Sequence, residues 1–200
     1  MEIRLFGCKI YISLLFIAMI CLILFFDSTG IILFGLCSVL IHETGHILFM
    51  AALKQMPDEI IMQPAGVIIK RKNLIMKYSD ELLVATAGCL FNLIFGLCFI
   101  SLYYVNYNLL WMIFAAANLS IAFFNLLPVA GLDGGDILKF FLYRIMPENK
   151  ADTICKIIST LVALSVVFIS VYILIFSKAP IGVLLAGVYI IILVIINLRS

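Results

Sequence analysis

Between Gly30 and Leu53 the chain is apolar for the width of a bilayer, yet His42, Glu43 and His46 stand inside that run. About 20 apolar residues suffice to cross the hydrocarbon core. A lone segment of that kind satisfies its backbone polar groups there only as a helix. In a helix His42 and His46 lie one turn apart on the same face, so both imidazoles can reach one metal ion. Glu43 follows His42 directly, where its carboxylate can take a proton from a metal-bound water. In a soluble protein this spacing arises by chance often enough to mean little, and a single His in a span usually hydrogen-bonds to a neighbouring helix. Inside a span the weighting changes. A carboxylate at a helix centre costs roughly 2.5–3.5 kcal/mol on insertion scales, so ionisable residues there are functional by default. Both histidines of the chain fall within this pentapeptide.

Composition agrees with a membrane chain and excludes an ordinary soluble one. Of 200 residues 66% are hydrophobic and 12% charged, and the mean hydropathy is +1.27. These values lie far from those of soluble globular domains. Six apolar runs meet or approach the length of a crossing: about Ile10–Phe26, Gly30–Leu53, Leu82–Val105, Leu109–Leu127, Ile157–Phe176 and Pro180–Ile196. Asp27–Thr29 and Asn106–Asn108 are short enough to join antiparallel neighbours, and Pro180 suits the first turn of the last helix. The first run is too long for a signal-peptide core and lacks a small-residue cleavage site after it, so it is read as a span. The six cysteines are scattered, without a Cys-x-x-Cys, and read as small apolar residues.

Charge distribution sets the orientation. With the N-terminus inside, Arg4, Lys9, Lys54, Lys70, Arg71, Lys72, Lys77, Lys139, Arg144, Lys150, Lys156 and Arg199 are cytoplasmic, and Lys178 alone is external. That is a strong positive-inside bias. The fold expected is an all-α polytopic membrane protein of six transmembrane helices. Residues 1–200 form one membrane-embedded domain with both termini cytoplasmic. Within Gln55–Glu81, β-branched residues flank a Pro64-Ala65-Gly66 turn and suggest a short membrane-associated hairpin between helices 2 and 3. A plain amphipathic connector is an equal alternative there. An exposed hairpin edge could pair with an extended substrate. Lys70-Arg71-Lys72 suits an interfacial anchor to anionic lipid.

A catalytic zinc usually has three protein ligands and one open position. The chain has no third His, so a remote acid must serve. Asn125-Leu126-Leu127-Pro128 closes the fourth run, and Asp133 and Asp136 follow it. Either acid could reach inward. Asp133 is favoured because Gly134 and Gly135 allow the backbone to fold tightly around a buried carboxylate. Asp136 would sit in the first turn of an interfacial helix over Ile137–Ile145, where the helix dipole favours it. Alone, Asp133 would read as a turn cap. Beside an intramembrane HExxH that lacks a ligand, it reads as the third donor. In the third run, Ala87 and Gly88 allow close helix approach, and Asn92 needs a polar partner.

Together, His42-Glu43-Thr44-Gly45-His46, Ala87-Gly88-Cys89-Leu90-Phe91-Asn92 and Asn125-Leu126-Leu127-Pro128 with Leu132-Asp133-Gly134-Gly135 resemble the site-2 protease family of intramembrane zinc metalloproteases. The resemblance covers about residues 30–140. The short six-span layout is most similar to the subgroup of the stage IV sporulation protease FB. The resemblance implies one zinc on His42, His46 and Asp133, with Glu43 as the base. It places Asn125 near the substrate or its oxyanion. It also implies a membrane-associated protein substrate, such as a pro-sigma or anti-sigma factor in a spore-forming bacterium, with membrane inhibitory or regulatory proteins as further partners and no nucleic acid. Two positions depart from the family pattern. Gly131 stands where a second proline is frequent, Asp136 where a basic residue is frequent, and neither a PDZ insertion nor a CBS domain is expected in this chain. Two other classes remain. A metal transporter would need polar residues along a route through the bilayer, but near His42 the second run offers only Cys37 and Ser38. A catalytically inactive binding protein would have no need of Glu43.

Overall fold

The computed structural model describes residues 2–5, 8–27, 29–63, 66–70, 77–177 and 182–198. The chain is mostly helical, and seven helices are found among the described residues. They are α1 (Leu14–Phe26), α2 (Ile31–Ala52), α3 (Tyr78–Asn106), α4 (Leu109–Asn125), α5 (Asp133–Tyr143), α6 (Glu148–Ser177) and α7 (Gly182–Leu198). Each of the six apolar runs overlaps one of them, and α5 falls on the segment read as interfacial.

The helices differ in reach. By length and composition α2, α3 and α6 can each cross a bilayer. With 13 residues, α1 extends about 20 Å, and α4 and α7, with 17 each, about 25 Å. That is short of the roughly 30 Å hydrocarbon core. Large apolar side chains are widely exposed on these helices, among them Leu14, Phe25, Val105 and Phe168, each more than 70% accessible. A soluble monomer rarely presents apolar surface on that scale.

The first run is not helical throughout. Cys8–Ile12 is a strand, β2, and the helix begins only at Leu14, capped by the Ser13 hydroxyl, which accepts from the Phe16 amide at 3.1 Å. A short apolar run carries no period that separates strand from helix. The expected hairpin between α2 and α3 is present as β3 (Glu59–Gln63) and β4 (Gly66–Lys70), but it is half of a larger unit. Glu2–Leu5 (β1) pairs antiparallel with β2, β2 pairs parallel with β3, and β3 pairs antiparallel with β4. The all-α reading with a lone hairpin is thus corrected to a helical bundle with a four-stranded mixed sheet. Pro64 and Ala65 of the turn, Arg71 and Lys72 of the basic cluster, Lys178 and Pro180 lie outside the described residues.

Helix α3 is the hub, packing on α2, α4 and α5, and α6 packs on α5 and α7. Small residues permit the closest approaches. A Cβ on Gly45 of α2 would come within 2.8 Å of the Ala87 carbonyl oxygen on α3, and one on Gly96 within 2.8 Å of Leu119 on α4. Farther along α2, buried Ser38 accepts a hydrogen bond from Asn118 of α4 at 2.8 Å. At its start, Asp27 accepts from the amides of Thr29, Gly30 and Ile32 and from the Thr29 hydroxyl. The Thr29 hydroxyl is foremost among the bonds that hold this carboxyl below its ordinary range.

Between α4 and α5 the chain turns sharply. The helix ends at Asn125, three residues before Pro128. Val129 is fully buried and packs with Leu132, Ala163, Ile190 and Val194. The Ala130 amide donates to Ser159 of α6 at 2.9 Å. Gly131 has a φ of +92°, so the departure from proline there is not slack: proline is confined to φ near −65° and cannot adopt it. Gly131→Ala is therefore expected to destabilise the protein by about 1–3 kcal/mol. Gly35→Ala, on a helical face with open space around it, is expected to be neutral or slightly stabilising. Unfolding of both variants in detergent measures the contrast.

Candidate metal centre

The period of α2 stacks the two histidines, and the fold supplies what surrounds them. Their Nε2 atoms lie 3.1 Å apart, with the rings edge to face. His42 is buried and His46 partly so. Each ring is held from behind by α3. His46 Nδ1–H donates to the Val84 carbonyl at 2.8 Å, which leaves Nε2 with its lone pair facing the site. His42 Nδ1 lies 3.4 Å from the amide nitrogen of Asn92, which is fully buried. In this orientation the Asn92 carbonyl oxygen is buried without a partner; with the amide turned over, it accepts from His42 Nδ1–H and leaves Nε2 with its lone pair facing the site.

Asp133 closes the group from the opposite side. Its Oδ2 lies 2.8 Å from His42 Nε2 and 3.3 Å from His46 Nε2. Asp136 lies on the wall of the same cavity and is exposed. It is the Asp133 carboxylate that meets the imidazoles. The Asp-Gly-Gly segment, read as backbone folded tightly around the acid, is the first turn of α5. The glycines serve packing. A Cβ on Gly134 would collide with the Leu126 carbonyl, and one on Gly135 with the Val129 carbonyl. The acid sits at the positive end of the helix dipole, which suits a carboxylate.

Gly88 has a role that its sequence context did not disclose. Close helix approach falls to Gly45 and Ala87, whereas a Cβ on Gly88 would stand 2.7 Å from both His42 Nε2 and His46 Cε1. The glycine leaves room for the ligating edges of both rings. Cys89, the next residue, is also missed by motif reasoning. It is buried, and its thiol donates to Asp133 Oδ2 at 3.5 Å. No spacing rule connects it to His42 or Asp133, since the contact arises only once α3 and α5 pack.

A cavity of about 580 Å³ opens on the group, with His42, Glu43, His46, Asn125, Asp133 and Asp136 among its lining residues. Ile60 of β3 also reaches its wall, so the sheet borders the site. Asn125, the last residue of α4, donates to the Ile121 carbonyl at 3.1 Å while facing the same space. The structure brings together all five residues that the sequence singled out. Two imidazole nitrogens and one carboxylate oxygen, mutually within 3.3 Å, fit a single divalent ion of the zinc type, and Gly88 keeps the space before them clear.

Comparison with known proteins bears on the fold. A family model described as Peptidase family M50 matches residues 104–169. That stretch holds Asn125 and Asp133 but not the histidine pair. The solved structure of a site-2 protease from Methanocaldococcus jannaschii matches with a TM-score of 0.66 at 22% identity, covering 97% of this chain and 93% of that one. The chain has a site-2 protease fold. Among curated proteins no match is found.

Placing a methyl at Gly88 tests the geometry most directly. In Gly88→Ala the two imidazoles must move apart or rotate. The purified variant is expected to stay folded by circular dichroism and to lose most of the divalent metal that the wild type retains, as read by elemental analysis. Full retention of metal would mean that the rings are not the donors.

Proposed function

We propose that the chain is an intramembrane zinc endopeptidase acting on a membrane-associated protein substrate. The observation that carries this reading is the convergence of His42, His46 and Asp133 beside Glu43 in one cavity, within helices that expose apolar surface as a bilayer requires. A likeness to a peptidase family over residues 104–169 and to a site-2 protease fold supports it.

In this reading His42 and His46 ligate through Nε2 and Asp133 through its carboxylate. Such an ion supplies Lewis-acid polarisation of a carbonyl and a nucleophile at neutral pH. Glu43 accepts the proton of the attacking water and later delivers it to the leaving amine. Asn125, at the mouth of α4, holds the developing oxyanion with its amide. Val84 and Asn92 fix the ring orientations. One doubly charged ion balances the Glu43 and Asp133 carboxylates, which would otherwise leave net charge in a low-dielectric cavity. A peptide bond within a helix is shielded, so the substrate must be extended locally at the site. The free edges of the sheet that borders the cavity are β1 and β4, and in this reading an extended segment adds to one of them.

The parallel pairing of β2 with β3 supports the topology. The chain leaves the sheet at Ile12, runs through α1 and α2, and rejoins the same sheet at Glu59. That pairing supports a topology in which the N-terminal strands and the α2–α3 segment share one side of the bilayer. The positive-inside bias makes that side cytoplasmic. On this reading six helices span, both termini are cytoplasmic, and the α1, α4 and α7 crossings are completed by flanking turns or by local thinning of the bilayer. For the substrate we propose a pro-sigma or anti-sigma factor, a choice supported by the motif set and the short layout.

Glu43→Gln is expected to abolish cleavage of a co-expressed single-span substrate while leaving metal content at the wild-type level. Gln keeps the shape of the side chain and cannot act as a base. Asp133→Asn is expected to lose both metal and cleavage, and Asp136→Asn to keep both. The reverse pattern in the two Asp variants would transfer the ligand role to Asp136. Orientation is read by cysteine labelling in a background without native Cys. A cysteine at Lys54 or Lys150 is expected to label from the cytoplasmic side and one at Asn108 from outside.

A further inference from the structure

The mechanism above has no use for Cys89, yet Cys89 places its sulfur among the donors. One atom each from His42, Cys89 and Asp133 lie within 4.8 Å of one another. The thiol reaches Asp133 Oδ2 at 3.5 Å, the same oxygen that lies 2.8 Å from His42 and 3.3 Å from His46. Four donors held at roughly 2.0–2.3 Å from one ion stand about 3.3–3.8 Å apart at the edges of a tetrahedron. Four of the six separations, from 2.8 to 3.5 Å, lie at or below that range, and the group within 4.8 Å that holds the sulfur contains His42 and Asp133 but not His46, so closing the tetrahedron draws the sulfur and the His46 ring together. The sulfur is also fixed in place. Cys89 is 2% exposed, on the turn of α3 between the Val84 carbonyl behind His46 and Asn92 behind His42. Cys21, Cys37, Cys98 and Cys155 are not in this group, and Cys8 lies in the sheet.

We propose that Cys89 is a fourth protein ligand, and that it makes the metal centre latent. Catalytic zinc sites keep a position open for water, whereas closed four-ligand sites are structural. With sulfur bound, this site is closed. Coordination of the thiol releases its proton to solvent, because a metal-bound thiol is deprotonated outright. The sulfur takes the position that a water would hold, and no electrons are transferred. Cleavage then requires Cys89 to give way to water, with His42, His46 and Asp133 retaining the ion. The thiolate also biases the site towards soft metals over hard ones.

The proposal rests on the metallopeptidase reading, and one experiment separates the two. Full-length protein in detergent is loaded with Co²⁺ and its absorption spectrum recorded. Wild type is expected to show the visible bands of four-coordinate cobalt together with a near-ultraviolet thiolate-to-cobalt charge-transfer band. Cys89→Ser, close in size, is expected to keep the visible bands and lose the charge-transfer band. Cys8→Ser and Cys155→Ser are expected to retain both. The metal-loaded Cys89→Ala variant is expected to cleave substrate with a higher initial rate than wild type. Visible bands without a charge-transfer band in wild type would overturn Cys89 ligation and leave the metal centre standing. A charge-transfer band that survives in Cys89→Ser would overturn it as well. Absence of any cobalt spectrum in wild type would overturn the metal centre itself. A charge-transfer band at Cys89 with slower cleavage in Cys89→Ala would overturn the latency.

Discussion

Burying ionisable side chains within hydrocarbon is the constraint on which the structure depends. His42, Glu43 and Asp133 are each unfavourable in lipid, and each is placed so that polar groups or an ion can offset that cost. Three helices share the work. Helix α2 brings the imidazoles, α5 brings the carboxylate, and α3 supplies the supports. The Val84 carbonyl, the Asn92 amide and the gap at Gly88 all lie on α3. That explains why α3 is the most enclosed of the long helices and why, Val84 apart, its buried residues Ala85, Ala87, Gly88, Cys89, Asn92 and Gly96 are small or polar. Bulky side chains there would hold the partner helices apart.

How much of this was legible in the sequence follows from where each contact originates. Helices came through because apolar runs of near-bilayer length have few alternatives. The His42–His46 pair came through because a helical period alone makes it. Asp133 required a chemical inference, namely that two histidines leave a zinc site incomplete. The N-terminal strands did not come through, since Ile10–Ile12 continues into the apolar run without a break and the pairing partner of β2 lies some fifty residues away. Gly88 and Cys89 were present in a recognised motif, but their roles depend on how α3 packs against α2 and α5. Ser38 and Asn118, buried and bonded to each other between α2 and α4, were visible only as isolated polar residues.

The sheet alters how the membrane part is read. A lone hairpin between α2 and α3 could swing on its connectors. A hairpin fused to the N-terminal strands cannot swing independently of them, because β2 and β3 pair along Lys9–Ile12 and Glu59–Met62. The α1–α2 excursion is thereby closed into a loop with both ends in one sheet. Helix α2 carries the histidines, and β3 carries Ile60 on the wall of their cavity. The same loop therefore sets both the position of the ring donors and that of the surface along which an extended chain would approach.

The remaining donor is set by backbone packing. Asp133 is at the start of α5, and that start is pinned largely through the backbone. The Gly134 and Gly135 backbones rest against the carbonyls of Leu126 and Val129, and Gly131 turns the chain through a backbone conformation closed to proline. The Ala130 amide is tied to Ser159, and Val129 is sealed among residues of α6 and α7. Helices α6 and α7 contribute none of the donors, yet they hold the turn that aims the carboxylate. A carboxylate on a mobile turn would lose much of its conformational freedom on meeting an ion. One on the first turn of a pinned helix has already lost most of it, and the helix dipole favours its ionised form. The rigidity of the segment from Leu126 to Gly135 is thus what allows a single carboxylate to meet two imidazoles carried by a helix far away in the chain.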